Sequence, residues 1–418
     1  MRVIADIHLH SKYSRACSKQ LDLEHNAEWA TLKGINLLGT ADFTHPQWLK
    51  ELRSKLEPEN QGLFRLKNSS VPVRFMLTTE LSCIYSQGGK TRRIHLCVFS
   101  PSLETVAKIN GALEKRQVNL KADGRPIMGL SAIDLTQLIL EIDPTAMVVP
   151  AHAWTPWFSV FGSNSGFDSL EECFGPTTKE IFAIETGLSS DPPMNWRLSA
   201  LDKITLISNS DAHSPANLGR EANVFDLEES EITYDEIRRI LKEKDSKKFK
   251  YTIEFFPHEG KYHYDGHRDC GIVFSPAETK KNRGICPKCK KPLTIGVDHR
   301  VDQLADRPID QKGTNTIPFK SAVPLQEIIA EVYGVGKNSK KVQATFHEII
   351  KKGGDEFTIL LDSPPAEIEK IAGSDIATAI ANIRAGRVYL QAGYDGVYGV
   401  VRAFPPGKKV GLQQEQLL

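Results

Sequence analysis

The sequence predicts an α/β protein: a parallel sheet or barrel first, then a small metal-held module, then a mainly helical C-terminal region. Three observations carry this. Aliphatic or β-branched runs alternate with helix-like segments to about residue 225. From about 257 to 300 the chain is rich in Gly, His, Cys and Lys. From about 323 the apolar spacing is helical. A length of 418 residues fits two to three domains. Hydrophobic residues at 40% and charged residues at 25% exclude a disordered, collagen-like or disulfide-scaffold chain. No apolar run reaches the roughly 18 residues a membrane helix needs. Met1-Arg2-Val3-Ile4-Ala5-Asp6 places an acid where a secretion signal needs an apolar stretch, so a cytoplasmic location is expected. A net charge of +1 leaves any nucleic-acid partner to local patches.

The expected strands lie near 2–7, 35–40, 73–79, 94–99, 146–150, 181–185 and 204–209, with helix-like segments at 22–33, 102–115, 131–142 and 194–202. Alternation of this kind is the pattern of parallel strands joined by crossover helices. Residues 233–245 read as a charged amphipathic helix and 249–256 as a strand. Helices are expected at 325–332, 339–352, 365–371 and 374–385, and strands at 387–391 and 397–403 around Gly393, Gly396 and Gly399. The expected domains are a catalytic barrel over 1–225, a linker and metal module over 226–322, and a mainly helical region over 323–418.

Nearly every expected strand of the barrel ends in a group that can bind metal. In Asp6-Ile7-His8-Leu9-His10 alternation puts both imidazoles on one face, with a carboxylate behind them. Asp42 and His45 follow the second run, Glu80 closes the third, and His95 lies in the fourth behind Arg92 and Arg93. His152 follows the fifth, Glu185 closes the sixth, and Asp211 and His213 follow the seventh. In an α/β barrel the C-terminal strand ends converge on one mouth, so these scattered residues would meet in one pocket. The imidazole–carboxylate mixture suits zinc, manganese or iron and is too nitrogen-rich for calcium. So many ligands at an open mouth imply two or three metals and hydrolytic chemistry, without fixing the bond broken.

The order His8-x-His10, Glu80, His95, His152, Asp211-x-His213 resembles the PHP (polymerase and histidinol phosphatase) domain. That resemblance covers about residues 1–225 and implies a distorted seven-stranded β/α barrel that hydrolyses phosphoesters. Two departures stand out. Ala41-Asp42-Phe43 replaces the family's Thr-Asp-His, with His45 two residues later, and Ser14-Arg15-Ala16 stands where a further histidine or aspartate is common. The number of bound metals stays open.

Cys286-Pro287-Lys288-Cys289 is a Cys-x-x-Cys knuckle, and His267-Arg268-Asp269-Cys270 is its upstream partner. Paired ligands at this spacing read as a tetrahedral zinc site of His267, Cys270, Cys286 and Cys289, with His263 as the alternative fourth ligand. Cys17, Cys83, Cys97 and Cys173 read as core thiols. Residues 279–300 hold seven basic side chains, among them Lys288, Lys290 and Arg300, against Asp298 alone. Residues 238–250 hold seven against two acids. Basic patches on a near-neutral chain are the footprint of phosphate-backbone contacts.

A PHP-like barrel, this knuckle, Gly296-Val297-Asp298-His299-Arg300-Val301 and Leu304-Ala305-Asp306-Arg307-Pro308 together resemble the endonuclease Q family over essentially the full chain. The resemblance implies a DNA repair endonuclease that cuts 5′ to deaminated bases (hypoxanthine, uracil, xanthine) and at abasic sites, leaving 3′-hydroxyl and 5′-phosphate ends. On this reading Asp211, Glu80 and His152 act at the reacting atoms. The catalytic cluster takes Zn2+, with Mn2+ or Mg2+ as alternatives. Arg92 and Arg93 are candidates to neutralise a phosphate, and Trp154 and Trp157 in the 153–168 loop are candidates to stack on bases. The C-terminal region would bind DNA, and a monomer is expected. The tail Leu412–Leu418 faintly suggests a sliding-clamp peptide, a frayed terminus being the plainer reading. The alternative, a phosphatase of a small phosphorylated metabolite, leaves the knuckle and about 190 further residues without a task.

Overall fold

The computed structural model describes residues 1–407. Its largest unit is a distorted α/β barrel. Strands Arg2–Asp6, Leu37–Gly39 and Arg74–Gln87 pair in parallel. Lys90–Ser100 then pairs antiparallel with both Arg74–Gln87 and Met147–Pro150. Ala183–Glu185 and Thr205–Ile207 form a parallel pair. A bridge between Leu9 and Ala212, with the Asp211 N–H donating to His8 O at 2.9 Å, brings the last strand end back to the first.

The antiparallel strand is a departure from the expected all-parallel rhythm. Gly88 and Gly89 have φ of 60° and 72°. Two consecutive positive φ values make a tight hairpin turn, which glycine adopts without steric cost. The strand expected to stop at 79 therefore runs to Gln87 and folds straight back. Helices cover the outside and start at capping residues: Asp22, Ser102 and Ser131 each accept an N–H three residues ahead. One apolar layer, including Val3, Ile7, Phe99 and Val149, is sealed by the helix Tyr234–Glu243 through Tyr234, Ile237, Ile240 and Leu241.

The barrel sheet continues past the expected boundary at 225. Ala222–Asp226 pairs with Arg2–Asp6, Phe249–Glu254 pairs with Ala222–Asp226, and Phe319–Ser321 adds a parallel edge strand. The barrel unit thus runs through 254 and the cysteine module is an insertion before 319. Past it, helices Leu325–Tyr333, Lys340–Gly353, Pro365–Ala372 and Ser374–Arg384 share a core that includes Ile328, Phe346, Ile359 and Ile380. This unit docks on the first barrel helix through Trp29 stacked on Phe346 and a buried Lys33–Glu356 ion pair at 2.8 Å. A hairpin of Tyr389–Gln391 and Val400–Arg402 then returns to the module, where the Gly393 N–H donates to His258 O at 2.8 Å. Among the described residues no helix is long and apolar enough to cross a membrane. The tail Leu412–Leu418 lies outside the described residues.

Candidate metal centre and nucleic-acid face

The barrel mouth gathers its ligands around one carboxylate. Glu80, fully buried in the long hairpin, sends its two oxygens to two groups. Oε1 lies 2.6 Å from His95 Nδ1 and 3.1 Å from His152 Nε2, and those two nitrogens are 3.3 Å apart. Oε2 lies 3.3 Å from His10 Nε2 and 3.7 Å from His8 Nε2, while His10 Nε2 is 3.0 Å from Asp211 Oδ1. Within each group all ligand atoms fall within 4.8 Å of one another.

These residues fit metal ions. His8 Nε2, His10 Nε2 and Asp211 Oδ1 are buried and have no hydrogen-bond partner although they converge on one spot. Orphaned polar atoms inside a protein carry a cost of about 1–3 kcal/mol each unless something satisfies them. Ligands about 2.0–2.2 Å from a shared cation sit at about this mutual spacing. The opposite ring nitrogens are fixed from behind. His8 Nδ1 donates to Glu185 at 2.9 Å, and Glu185 also accepts Asn209 Nδ2 and the His152 N–H. His10 Nδ1 donates to Asp42 Oδ1 at 3.3 Å. A carboxylate can only accept, so both rings carry the proton on Nδ1 and turn a lone pair at Nε2 toward the mouth.

Several expected ligands take other places. Asp42 spends its oxygens on His10, on the Ser11 N–H and hydroxyl and on the Ser14 hydroxyl, so it orients His10 from behind. His45 starts the helix Pro46–Lys55 and stacks on Tyr13 at 4.4 Å, outside both groups. Asp6 accepts the Ser210 and Gly219 N–H groups and so supports the loop that carries Asp211. His213 lies beside His10, ring centroids 4.7 Å apart, with Nδ1 donating to Asp211 O, and is not in the tight groups. Cys97, a core thiol in the sequence reading, forms a third group with His8 and Glu185.

Burial works against charge at this mouth, and at the carboxylates of Asp211 and Glu80 the neighbours overcome it. The Asp211 carboxyl is held well below the usual range by His10, His8 and His213. Glu80 is held low by His95 and Arg125. Burial pushes His95 down to about 4, so its neutral form is available as a ligand. Asp42, His152 and Asp211 have φ of 41°, 29° and 46°. Such left-handed non-glycine residues cost of order 1–3 kcal/mol each and cluster at functional sites.

One residue at the mouth is missing from the sequence reading. Arg125 donates from Nη1 to Glu80 Oε2 at 3.0 Å. It lies in a loop with no periodicity, and no spacing signal marks it.

The second cluster is the module. Imidazole and thiol atoms of His267, Cys270, Cys286 and Cys289 lie within 4.8 Å of one another, with His267 Nε2 3.6 Å from Cys289 Sγ. His263 instead packs on His258, ring centroids 4.3 Å apart, so His267 is the fourth member. Lys288 and Lys290 are exposed beside it, and Lys288 Nζ donates to Cys270 O.

Candidate DNA contacts divide by exposure. Trp154 is fully buried and donates to Asn195, so it is core packing and cannot reach a base. Trp157 is half-buried on the rim against Tyr262. Arg92 lies over Phe167 and donates to the Gln87 and Gly166 carbonyls, and Arg93 lies 5.8 Å from the Phe158 ring centre. Arg300 donates to the Phe161 and Phe167 carbonyls and to Asp168. Arg92 and Arg300 thus brace the 153–168 loop.

Residues 324–387 match the model of the MJ0043 C-terminal domain family. The chain is 33% identical to protein MJ0043 of Methanocaldococcus jannaschii over 269 residues, 64% of this chain and 33% of that protein, so the chain covers about a third of that relative. The crystal structure of the lesion-specific endonuclease PfuEndoQ of Pyrococcus furiosus superposes with a TM-score of 0.85 at 32% identity, over 100% of this chain and 98% of the other. A structure of endonuclease Q with a 27-mer duplex substrate bearing an abasic lesion at its active site gives 0.86 at 33%, over 100% of both chains. Fold and mouth define the class, a barrel of the nuclease kind whose strand ends gather groups able to hold metal ions. The chain belongs to the endonuclease Q family of nucleases.

Proposed function

We propose that this protein is a DNA repair endonuclease that hydrolyses the phosphodiester on the 5′ side of a damaged nucleotide, an abasic site or a deaminated base such as hypoxanthine, uracil or xanthine. The observation that carries the reading is Glu80, whose two oxygens face two separate imidazole groups at one open mouth. His8, His10 and Asp211 would hold one cation, His95 and His152 a second, and Glu80 both. Divalent ions held there would supply Lewis-acid stabilisation of a phosphoryl oxygen and a water made nucleophilic at neutral pH. Glu185 and Asp42 keep the rings of His8 and His10 turned to the mouth. Asp211, held ionised, accepts the proton of the attacking water. The water oxygen bonds to phosphorus as the bond to O3′ breaks, and O3′ leaves as an alkoxide that takes its proton from solvent water. A deaminated nucleotide leaves the stack at a cost of a few kcal/mol, least for a weakened pair, and the half-buried pair Trp157 and Tyr262 would receive it. Exposed Lys288 and Lys290 and the Gly334–Asn338 turn between helices grip backbone phosphates. Zinc is the ion proposed for the module. The seven cysteines are all unpaired, which fits a reducing cytoplasm.

End-labelled duplexes carrying one hypoxanthine, uracil, xanthine, abasic site or no lesion test this. The expected result is a metal-dependent cut 5′ to each lesion, none on intact DNA, and a loss of at least about 10³-fold in rate for Asp211→Asn with duplex binding retained. Intact lesion strands together with turnover of small phosphate monoesters would favour the metabolite phosphatase.

A further inference from the structure

We propose that Arg125 is a catalytic residue: its guanidinium, fixed on Glu80, contacts a non-bridging oxygen of the scissile phosphate and stabilises the charge that builds there. This rests on the phosphodiester cleavage proposed above.

The chain builds a support for this one side chain. Ser82 N–H donates to Pro126 O at 3.1 Å, and Ile127–Met128 pairs in parallel with Ser82–Cys83, so Arg125 is held in register with Glu80 two residues earlier. The preceding turn is clamped to the first ligand loop. Gly124 N–H donates to Tyr13 O at 3.2 Å, and the N–H groups of Arg15 and Arg125 both donate to Asp123 Oδ1. The turn presses on the ligand cluster itself. A Cβ at Gly124 would fall 2.2 Å from Asp42 Oδ2 and 2.3 Å from Ser14 Oγ, the groups that orient His10. Only a residue without a side chain brings the loop this close.

The guanidinium is half committed. Nη1 is spent on Glu80, and among the described residues no other protein group takes its remaining donors. Its side chain is 24% exposed while Glu80 has no exposure. A partner serving only to neutralise Glu80 gains nothing from facing solvent. A planar fork with one edge on a carboxylate and the other open to the mouth matches a phosphate. Of the arginines suggested by sequence, Arg92 and Arg300 are spent on backbone carbonyls and Asp168, and Arg93 lies 5.8 Å from the Phe158 ring centre.

In the reaction the water oxygen bonds to phosphorus, the bond to O3′ breaks, and negative charge spreads over the non-bridging oxygens. A preset donor aimed at such charge contributes about 10²–10³ in rate when removed singly. Arg125 exchanges no proton in this step. Its charge is reinforced by Glu80 and Asp211.

The test compares wild type, Arg125→Ala and Arg125→Lys in single-turnover cleavage of an abasic duplex and in hydrolysis of bis(4-nitrophenyl) phosphate. Metal content and duplex Kd are measured on the same preparations. Arg125→Ala should be about 10²–10³-fold slower on both substrates, with metal content and Kd unchanged and partial rescue by added guanidinium ion. Arg125→Lys should fall between. Loss of bound metal in Arg125→Ala would overturn the proposal, since the residue would then only support Glu80. So would an unchanged rate, or a weaker Kd at an unchanged rate. A wild type that hydrolyses the diester but spares every lesion duplex removes the repair reading and still tests Arg125 through the diester. A wild type inert on both overturns both.

Discussion

The barrel mouth and the cysteine module gather similar side chains by opposite routes. The module draws four ligands from residues 267–289, and among the described residues of that stretch only Thr279 and Cys286 are buried. The mouth draws its ligands from His8 to Asp211 and seats them over an extensive apolar core. One cluster closes on itself, which suits an ion that replaces a missing core. The other leaves an arginine and a histidine half-exposed at an opening, which suits an ion that meets a substrate. Local spacing is enough to hold a fold together; chemistry needs a scaffold that brings distant strand ends to one point.

The sharpest way to break this contrast is to remove one module ligand. Cys289→Ser should release the module's metal and weaken duplex binding by about tenfold or more at physiological salt, because exposed lysines around it lose their placement. Hydrolysis of bis(4-nitrophenyl) phosphate should stay within about twofold of wild type. Loss of diester hydrolysis would tie the module to the mouth and erase the distinction.

A smaller effect separates the interiors. Glu254 is fully buried beneath the mouth; burial, then the neighbouring charge of Asp191, push its carboxyl up to about 8. An unfolded glutamate titrates near about 4.3. The folded form therefore favours the protonated acid. Its contribution is complete below the unfolded value and is lost as pH rises through about 8. Between pH 5 and 9 the Tm of wild type should fall more steeply than that of Glu254→Gln. Parallel slopes would mean that Glu254 is solvated or paired in the fold.

Legibility follows the same division. The knuckle ligands stand in the sequence at their working spacing. The mouth ligands are visible as polar ends of apolar runs, because the barrel rule converts strand order into proximity. Three features escape such reading. Asp42 is a strand-end carboxylate like Asp211, and only its contacts with Ser11, Ser14 and His10 show that it works from behind. Gly88-Gly89 reverses a strand, so Glu80 and His95, though both singled out by sequence, lie mid-strand in an antiparallel hairpin and not at the ends of parallel strands. Arg125 reaches Glu80 by tertiary placement of a loop, and a lone arginine carries no pattern. Trp154 errs the other way: an aromatic in a glycine-flanked loop reads as exposed, but its ring fills the core against Phe161.

The central claim is that one buried carboxylate joins two ions at the mouth while the module holds its own. Metal content of purified wild type and Glu80→Gln, by mass spectrometry on folded protein, tests it most directly. Two ions at the mouth and one in the module give three per wild-type chain, and Glu80→Gln should retain the module's one. A variant that keeps all three would contradict a bridging Glu80 and with it the two-ion site on which the proposed cleavage depends.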